Sequence, residues 1–464
     1  MSRPPADPQP DAVALALDVA PAERKRFWGW NVVGAGLAVQ TLQGGLMQQA
    51  YGSYAVVLKD EFGWSSTMLS AGYSLNRLES GLLGPLHGWA LQRFGIKPVM
   101  QFGTVVMAIG LMLFSRLQNP GQFFGFYLIA AIGASLSGFL TVVTATVQWF
   151  ERKRATALAV SQSGFAVGGL ATPLLVWCFD QYGWRATAFG TGVLALVTLL
   201  PLSFVFGPTP ASIGQPLDGI SAERAAALDA RRSAQRTRVS TVAFSASQAL
   251  RTRAFWMISL GHSSALLVVG AVMAHLQLYL VQDHGFSAQH AARVAAVLPL
   301  VQLVGQVGGG FLGDRISKQL IVVVAMVGHV GGLLLLAFAS SDAMIWAFIP
   351  LHGLAWGVRG PLMQAMRADY FGAASFGQIM GISSLIIMIG QIGGPLLAGF
   401  LDDATGSYRI GFIVVAAMAS LGMVFFALAT PPQAPALPPA ADHRGGRNVQ
   451  PTPPAPDHRP EVRS

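Results

Sequence analysis

Two charged side chains, Arg77 and Glu79, interrupt an otherwise apolar stretch of the sequence. Between Ser66 and Gln92 there is no other acidic or strongly basic residue. If this stretch is a helix that starts at Ser66, Arg77 lies about 16 Å along it, near the centre of a bilayer. A charge at that depth costs at least a few kcal/mol and is rare unless it faces a water-filled cavity or a partner.

The two groups suit different chemistry. The guanidinium of Arg77 matches a carboxylate bidentately, so we predict that Arg77 binds an anionic substrate. The carboxyl of Glu79 can take up and release a proton, so we predict that Glu79 carries a coupling proton. Side chains two positions apart on a helix point in nearly opposite directions and do not form a same-face pair. The alternative is that each charge bridges to another helix and serves only the structure.

Arg359 is the only other charge that we place well inside an apolar run. Gly360 and Pro361 follow it, and Pro361 removes one helical hydrogen-bond donor, which predicts a kink beside the arginine. We predict that Arg359 is a second group that binds the anion. The alternative is a structural pair with Glu79 or with the Arg367/Asp369 end of the same run.

Several histidines also fall in apolar runs, at positions 87, 262, 275, 329 and 352. A single histidine in a membrane helix is more often a helix contact than a proton carrier. His275, which lies near Gln277 and Tyr279, is the one that we predict to contact the substrate.

Composition narrows the class of protein. The 464 residues are 53% hydrophobic and 11% charged, and soluble domains carry about 25% charged residues. The single cysteine, Cys178, allows no intramolecular disulfide. No metal-ligand spacing and no nucleophile–base arrangement stands out, so we expect no metal, no cofactor and no enzymatic activity.

Twelve apolar runs are each long enough to cross a bilayer as a helix, which takes about 20 residues. We number them as spans 1 to 12: 30–57, 66–92, 98–116, 122–148, 155–179, 186–206, 254–281, 290–313, 319–339, 344–367, 377–401 and 410–430. An even number of spans puts both termini on one side, and most of the lysines and arginines fall on that side. The positive-inside bias therefore predicts cytoplasmic termini in a bacterial-type plasma (inner) membrane, and the net charge of +9 implies no nucleic-acid partner.

The chain repeats itself. Gly88, Arg93, Gly168 and Pro173 recur at one constant offset as Gly310, Arg315, Gly390 and Pro395. Apolar helices share composition, but they do not keep glycines, a proline and a loop arginine in register by chance. We therefore predict an all-α membrane protein with twelve helices in two pseudo-symmetric six-helix bundles, which is typical of secondary transporters. The predicted units are a tail (1–26), a bundle (27–206), a linker (207–252), a second bundle (253–430) and a disordered tail (431–464).

The loop "GWALQRFGIK" at 88–97 resembles the loop G-x3-D-R/K-x-G-x-R/K of the major facilitator superfamily, and "GFLGDRISK" at 310–318 resembles it in the second half. The resemblance implies a conformational latch that holds the cytoplasmic helix ends together. Its residues here would be Gly88, Arg93, Gly95, Asp314 and Arg315. The first loop has Gln92 where the family has an acid, which puts that half of the latch in doubt. The alternative is that the basic residues only anchor the topology.

Two further stretches, "FWGWNVV" at 27–33 and "WFERKRATALAVSQSGFAVGG" at 149–169, resemble the two markers of monocarboxylate transporters and their bacterial oxalate-transporter relatives. That resemblance implies transport of a small organic anion, often together with a proton. The chain departs from the pattern in two places. Span 1 has Gln40, Gln43, Gln48 and Gln49 but no lysine, and span 8 lacks the Asp/Arg pair.

We therefore predict a secondary active transporter that moves a monocarboxylate-like anion across the plasma membrane by alternating access, with H+ as the coupling ion and the lipid bilayer as its surroundings. Two alternatives stay open at this point. One is a proton-driven exporter of drug-like amphiphiles on the same fold, and the other is a membrane sensor that transports nothing. The sequence does not indicate an oligomeric state.

Overall fold

The computed structural model describes residues 27–48, 50–64, 66–221, 223–224 and 244–433. The predicted tail 1–26, the middle of the predicted linker and nearly all of the predicted tail 431–464 lie outside these residues. Within them the chain is helical and has no strand, so the prediction of an all-α protein with twelve helical spans in two halves is confirmed.

Spans 1 to 6 form the N-terminal bundle. Their helices are Gly29–Gln43 and Ala50–Phe62 (span 1), Ser66–Leu82 and Gly84–Phe94 (span 2), Ile96–Phe114 (span 3), Pro120–Ser137 and Phe139–Trp149 (span 4), and Arg154–Gly169 followed by Thr172–Ser203 (spans 5 and 6). The last helix is broken at Gly183, whose φ of 78° requires glycine. The part before the break completes span 5, and the part after it is span 6.

Spans 7 to 12 form the C-terminal bundle. Their helices are Arg253–Gln282, Ala288–Gly313, Lys318–Ala337, Asp342–Phe371, Phe376–Thr405 and Tyr408–Leu428. Span 10 contains Pro350 and Pro361, yet its helix runs without a break from Asp342 to Phe371.

Eight helical stretches of the described chain are long and apolar enough to cross a membrane on length and composition alone. The other four spans are 1, 2, 5 and 10. Spans 1, 2 and 5 are each divided into shorter helices, and a π-helical turn, Gly44–Gln48, lies inside span 1. Span 10 carries Arg359 and Arg367 in its interior. Helix breaks are not confined to these four spans, because span 4 is also divided, at Gly138.

The two bundles meet on one side of the molecule, which we call the terminus side because the described chain begins and ends there. Phe27 packs on Trp149 and Phe150 at this side, and Tyr370 donates a hydrogen bond to the carbonyl of Ala429. Span 2 contacts span 11, and span 5 contacts spans 8 and 10.

The buried apolar side chains form two clusters, one in each bundle. On the terminus side, the cluster of the C-terminal bundle also includes Leu91, Val147 and Leu158 of the N-terminal bundle. The hydrophobic core is therefore continuous between the bundles on that side.

Glycines allow the backbones of the two bundles to approach closely. A Cβ built on Gly88 would lie 2.8 Å from the Cα of Gln378, and one built on Gly310 would lie 2.8 Å from the carbonyl oxygen of Ala155. Both distances are too short for a side chain, so glycine is required at both positions while the terminus side is closed. Gly88 and Gly310 are equivalent positions of the internal repeat, which explains why they have the same role.

Candidate functional site

Arg77 lies one helical turn from a close contact between spans 2 and 11. Gly81 packs against Met388, and Ser384 donates a hydrogen bond of 3.2 Å to the carbonyl of Gly81. Arg77 is one helical turn further from the terminus side, on the same face of span 2. Its side chain is half-buried, and its Nη2 is 3.5 Å from Oε1 of Gln48 on span 1. Arg77 therefore lies beside the contact between the bundles and also contacts span 1.

Glu79 points in nearly the opposite direction, as the helical geometry of span 2 predicts. Its Oε2 accepts hydrogen bonds from Ser80 at 3.1 Å and from Ser135 of span 4 at 2.9 Å. Its Oε1 is buried and has no partner among the described residues. Glu79 is only 5% exposed, and it lines a small crevice between spans 2 and 4.

The crevice beside Glu79 is mostly apolar. Its other lining residues are Ser80, Leu83, Gly84, Leu86, His87, Ile132, Ser135 and Leu136. Leu86 is 57% exposed at its rim, so the crevice opens on the flank of the bundle. His87 is buried, and its Nε2 hydrogen bonds with the hydroxyl of Thr141 at 3.0 Å. The structure therefore does not bring Glu79 and Arg77 into one pocket.

Arg359 is fully enclosed in the C-terminal bundle, with 1% of its surface exposed. Its Nε donates to Nε2 of His329 at 3.3 Å, and its Nη1 approaches the sulfur of Met363 at 3.5 Å. The structural alternative from the sequence, a pair with Glu79 or with Asp369, is absent from the contacts of the described chain. Both contacts of Arg359 therefore lie within the C-terminal bundle.

Arg367 is a second enclosed arginine, which the sequence analysis placed at the end of span 10. It is also 1% exposed, and its Nη2 lies 3.3 Å from Nδ1 of His262 on span 7. Its Nε donates to the hydroxyl of Ser383 on span 11 at 3.3 Å. The hydrophobicity of the sequence did not predict that Arg367 is buried, because its burial depends on which face of span 10 turns inward.

His275 belongs to a helix–helix contact. Its Nε2 is 2.9 Å from the carbonyl oxygen of Pro395 on span 11, and its ring lies 5.0 Å from the ring of Tyr408 on span 12. Its Nδ1 is buried without a partner in the described part of the chain. The structure does not bring His275 together with Arg77 or Arg359.

Two buried amides between spans 1 and 5 are further polar groups that the sequence analysis did not select. Gln40 is fully buried with both amide atoms unpartnered, and Nε2 of Gln162 is also unpartnered, counting only the residues that the structure describes. The Cβ of Gln40 would lie 2.8 Å from a Cβ built on Gly164, so spans 1 and 5 are tightly packed here. Buried polar groups without partners are rare in proteins, and they often mark a place where water or a ligand binds.

The terminus side carries an acidic clamp between the bundles. The carboxylate of Asp314, at the end of span 8, accepts hydrogen bonds from the backbone N–H of Ala155 at 2.9 Å and of Thr156 at 3.0 Å. These are first-turn N–H groups of span 5, which have no acceptor within their own helix. Asp314 thus caps a helix of the opposite bundle. Burial raises the pKa of the Asp314 carboxyl, and the hydrogen bonds from Thr156 and Ala155 oppose this shift.

A second ionic contact lies next to this clamp. Arg154 pairs with Asp369 at the end of span 10, and Nζ of Lys318 lies 2.8 Å from the same carboxylate. Arg315, the other predicted latch residue of this half, stacks on the ring of Phe311 and is exposed. Of the residues predicted for the latch in this half, Asp314 is the one whose side chain contacts the other bundle. Arg154 makes a second such contact, and the sequence analysis did not select it because it lies outside the loop motif.

The first-half loop makes no equivalent clamp. Gly88 packs against span 11, but Arg93 is exposed and lies 6.0 Å from the ring of Phe94. Gly95 ends the helix with a φ of 85°. Gln92 is exposed, and Ser375, which precedes span 11, makes no side-chain cap hydrogen bond. By the internal repeat, the first turn of span 11 is equivalent to the first turn of span 5. Asp314 caps the first turn of span 5, whereas no side chain of the described residues caps that of span 11.

Comparisons with known proteins agree with this architecture. The family described as the Major Facilitator Superfamily matches residues 37–358 and 258–460. The chain is 25% identical over 399 residues to monocarboxylate transporter 11 of Mus musculus, covering 83% of this chain and 84% of the relative. It is 26% identical over 318 residues to a galacturonate transporter of Dickeya chrysanthemi, covering 66% and 89%.

Solved structures show the same fold. The human organic anion transporter MFSD10 has a TM-score of 0.63 at 17% identity, covering 87% of this chain and 99% of that one. The transporter FucP in its outward conformation has a TM-score of 0.65 at 15% identity, covering 86% and 98%. At these identities the structures establish the arrangement of helices and nothing about the substrate.

Proposed function

Because this chain belongs to the Major Facilitator Superfamily, we propose that it moves a small organic anion across the membrane by alternating access. Its relatives and its fold are those of transporters, so the chain is a membrane transporter and not an enzyme. The proposal concerns the finer points, which are the class of solute, the coupling ion and the residues that bind them.

One observation supports the anion proposal: each bundle has a guanidinium group well inside one of its spanning helices. Arg77 is half-buried, and Arg359 is enclosed without a carboxylate partner among the described residues. A buried cation such as Arg359, which has no carboxylate partner among the described residues, favours a negatively charged ligand in a membrane interior. The names of several relatives, monocarboxylate and galacturonate transporters, agree with a carboxylate.

We place Arg77 at the first contact of the anion and Arg359 at a later one. The contacts between the bundles lie on the terminus side, so the solute enters from the opposite side and meets Arg77 first. Arg359 becomes reachable when the bundles rock and span 10 loses its contact with span 5. His275 is retained as a proposed contact through its unpartnered Nδ1.

Glu79 is the proposed proton carrier, because its Oε1 has no partner in the described chain and its crevice is largely apolar. We further propose that both termini are cytoplasmic and that the protein lies in a bacterial-type inner membrane, on the distribution of its basic residues.

The proposal is tested by uptake of radiolabelled lactate, oxalate and galacturonate into proteoliposomes. Arg77→Ala and Arg359→Ala should each abolish uptake of the transported anion, because a buried guanidinium that pairs with a carboxylate is lost. Arg116→Ala is the matched control, since Arg116 is exposed at the end of span 3, and it should keep normal uptake. Normal uptake in both test variants would refute the anion proposal.

A second candidate is a proton-driven exporter of cationic amphiphiles. The observation that favours it is the apolar lining around Glu79, which opens on the flank of the N-terminal bundle. Efflux of hydrophobic cations that depends on Glu79, together with no uptake of any carboxylate, would select this candidate.

A further inference from the structure

Five cationic or imidazole side chains lie together inside the C-terminal bundle. We call them the inner cationic cluster: His262 on span 7, His329 on span 9, and His352, Arg359 and Arg367 on span 10. None of the five is more than 6% exposed. His262 contacts Arg367, while His329 contacts both His352 and Arg359.

The cluster has no negative charge to balance its two guanidinium groups. Residues 244–433 contain six acidic side chains, Asp283, Asp314, Asp342, Asp369, Asp402 and Asp403, and each lies at or near a helix end. Asp369 is nearest in sequence to Arg367, but its carboxylate is held by Arg154 and Lys318. A guanidinium stays protonated under all ordinary conditions. The bundle therefore encloses two positive charges without a carboxylate among the described residues.

The hydrogen bonds of the two arginines are long, and their acceptors are neutral. Arg367 reaches Ser383 at 3.3 Å, the carbonyl of Met363 at 3.4 Å and Gln364 at 3.4 Å. Arg359 reaches His329 at 3.3 Å. Charge-assisted hydrogen bonds from arginine to an anion are typically about 2.7–2.9 Å. Both groups thus retain donor capacity that the surrounding side chains do not use.

The histidines of the cluster supply a further hydrogen-bond donor, in addition to the N–H groups of the two arginines. Because Nε2 of His329 accepts from Arg359, the proton of neutral His329 is on Nδ1, from which it donates to Nδ1 of His352 at 3.1 Å. His352 must then carry its own proton on Nε2. That atom is buried and has no partner in the part of the chain described. An unpartnered N–H donor at full burial is a costly feature unless a ligand accepts from it.

We propose that the inner cationic cluster is an anion site of its own, which takes a carboxylate group or a halide ion on the terminus side of Arg77. The chemistry that recognises the ligand is a single negative charge that accepts hydrogen bonds from Arg359 and Arg367. Nε2 of His352 lies about 22 Å along the helix from the level of Arg367, so it does not bind the same ion. The site shares Arg359 with the proposed transport path, but anion binding can be measured alone, and it does not require that the same anion be transported.

The experiment measures the thermal unfolding of the purified full-length protein in detergent. The reference buffer has a bulky sulfonate, HEPES, as its only anion, and sodium acetate or sodium chloride replaces it at constant ionic strength. We expect the Tm to rise with the logarithm of anion concentration, as for any ligand that binds only the folded state. If the Tm rises with acetate alone, the site binds a carboxylate. If the Tm rises with both anions, the site recognises the negative charge and not the carboxylate group.

Arg367→Met is the informative variant because it keeps the volume of the side chain and removes the charge. We expect it to lose the anion response and to unfold in HEPES at a Tm no lower than that of the unmodified protein, since an uncompensated buried charge has been removed. Arg367→Lys keeps the positive charge, so its Tm should still rise with anion concentration, but less than that of the unmodified protein. This variant keeps the test informative if the methionine variant does not fold. Arg116→Met, at an exposed arginine, controls for general salt effects.

Two outcomes would overturn the proposal. One is a Tm of the unmodified protein that does not respond to either anion. The other is a full response in Arg367→Met. Either result would leave the transport proposal standing, because uptake through Arg77 is measured separately in proteoliposomes.

Discussion

Arg77 and Glu79 are two residues apart on one helix, yet their side chains enter different surroundings. Arg77 shares a face with the glycines that pack on span 11, whereas Glu79 faces Ser135 of span 4. Their separation follows from about 100° of rotation per residue in an α-helix. If both act in transport, the proton and the anion are bound at separate places, and the coupling between them must pass through span 2 itself.

We predict that Glu79→Gln uncouples transport from the proton gradient. Glutamine keeps the hydrogen bonds with Ser80 and Ser135, but it cannot exchange a proton, so an imposed pH gradient should no longer drive accumulation of the anion. Exchange of external for internal anion should continue, because that reaction needs no net proton movement. The measurement is accumulation with and without a pH gradient in proteoliposomes.

Ser135→Ala is the matched control for this prediction. It removes one hydrogen bond to the carboxylate and leaves the titratable group, so pH-driven accumulation should persist. Unchanged accumulation in Glu79→Gln would exclude Glu79 as the proton carrier.

At the residue scale, the sequence predicts how far along its helix a side chain lies better than it predicts the direction in which that side chain points. The position of Arg77 and Arg359 along their spans follows from counting residues inward from a helix start. Whether a side chain faces the opening, a neighbouring helix or the lipid depends on the rotation of its helix, which no local pattern fixes. Arg367 illustrates the limit, since a residue counted at the end of span 10 is as deeply enclosed as Arg359.

At the scale of helices, the apolar runs predicted every span but not the breaks within them. The interruption of span 2 at Leu83 immediately precedes Gly84 and Pro85, and Pro85 lies in the first turn of the next helix, where proline is tolerated. The π-helical turn at Gly44–Gln48 has no such local signal, and it packs tightly on span 5: a Cβ on Gly44 would lie 3.1 Å from the carbonyl oxygen of Phe165. The repeat of Gly88 and Gly310, in contrast, was visible in the sequence because both bundles use the same close approach.

We predict that Gly310→Ala opens the terminus side. Its Cβ would lie 2.8 Å from the carbonyl oxygen of Ala155, so spans 5 and 8 could not stay in contact without a shift of the backbone. Overpacking of this kind costs about 1–3 kcal/mol, which is enough to move a balanced equilibrium largely to the open state. The distance between spin labels at the exposed residues Glu151 and Ile316 should increase.

Gly308→Ala provides the comparison on the same helix. A Cβ at Gly308 would meet nothing within 4 Å. The distribution of spin-label distances in Gly308→Ala should therefore match that of the unmodified protein. Equal distributions in both variants would show that the contact at Gly310 does not control closure.

We predict that Gln92→Asp strengthens closure of the terminus side. By the internal repeat, position 92 corresponds to Asp314, and the uncapped first turn of span 11 corresponds to the first turn of span 5. A carboxylate there should accept hydrogen bonds from the backbone N–H of Gly377 and Gln378. A cap of this kind contributes about 1 kcal/mol, and it should narrow the spin-label distance distribution towards the closed distance.

Asp314→Ala is the reciprocal variant, and it should widen the same distribution because two first-turn N–H groups of span 5 lose their acceptor. If Asp314→Ala opens the terminus side while Gln92→Asp has no effect, the two loops are not equivalent in function, whatever their similarity in sequence.

At the scale of the molecule, the two bundles carry different parts of the proposed mechanism. The N-terminal bundle holds Arg77 and the proton site, and the C-terminal bundle holds the inner cationic cluster and the only capping acid of the latch in the described chain. A duplicated fold with unequal halves allows one bundle to bind the solute first and the other to respond. The duplication could be predicted from the sequence, but this division could not, because it rests on contacts between residues distant in the chain.

The unequal bundles must move as rigid bodies if alternating access is correct, and paired cysteines can test this. In a Cys178→Ser background, Ala155→Cys with Gly313→Cys places the two Cβ atoms about 3.2 Å apart across the closed terminus side. Oxidation should join the bundles and stop uptake, and reduction should restore it. Gly328→Cys with Ala355→Cys places Cβ atoms 3.1 Å apart inside the C-terminal bundle. That cross-link should form equally well and leave uptake intact, because no contact within a bundle has to change. Loss of uptake in the second pair would mean that spans 9 and 10 move relative to one another during transport, and alternating access by two rigid bundles would have to be abandoned for this protein.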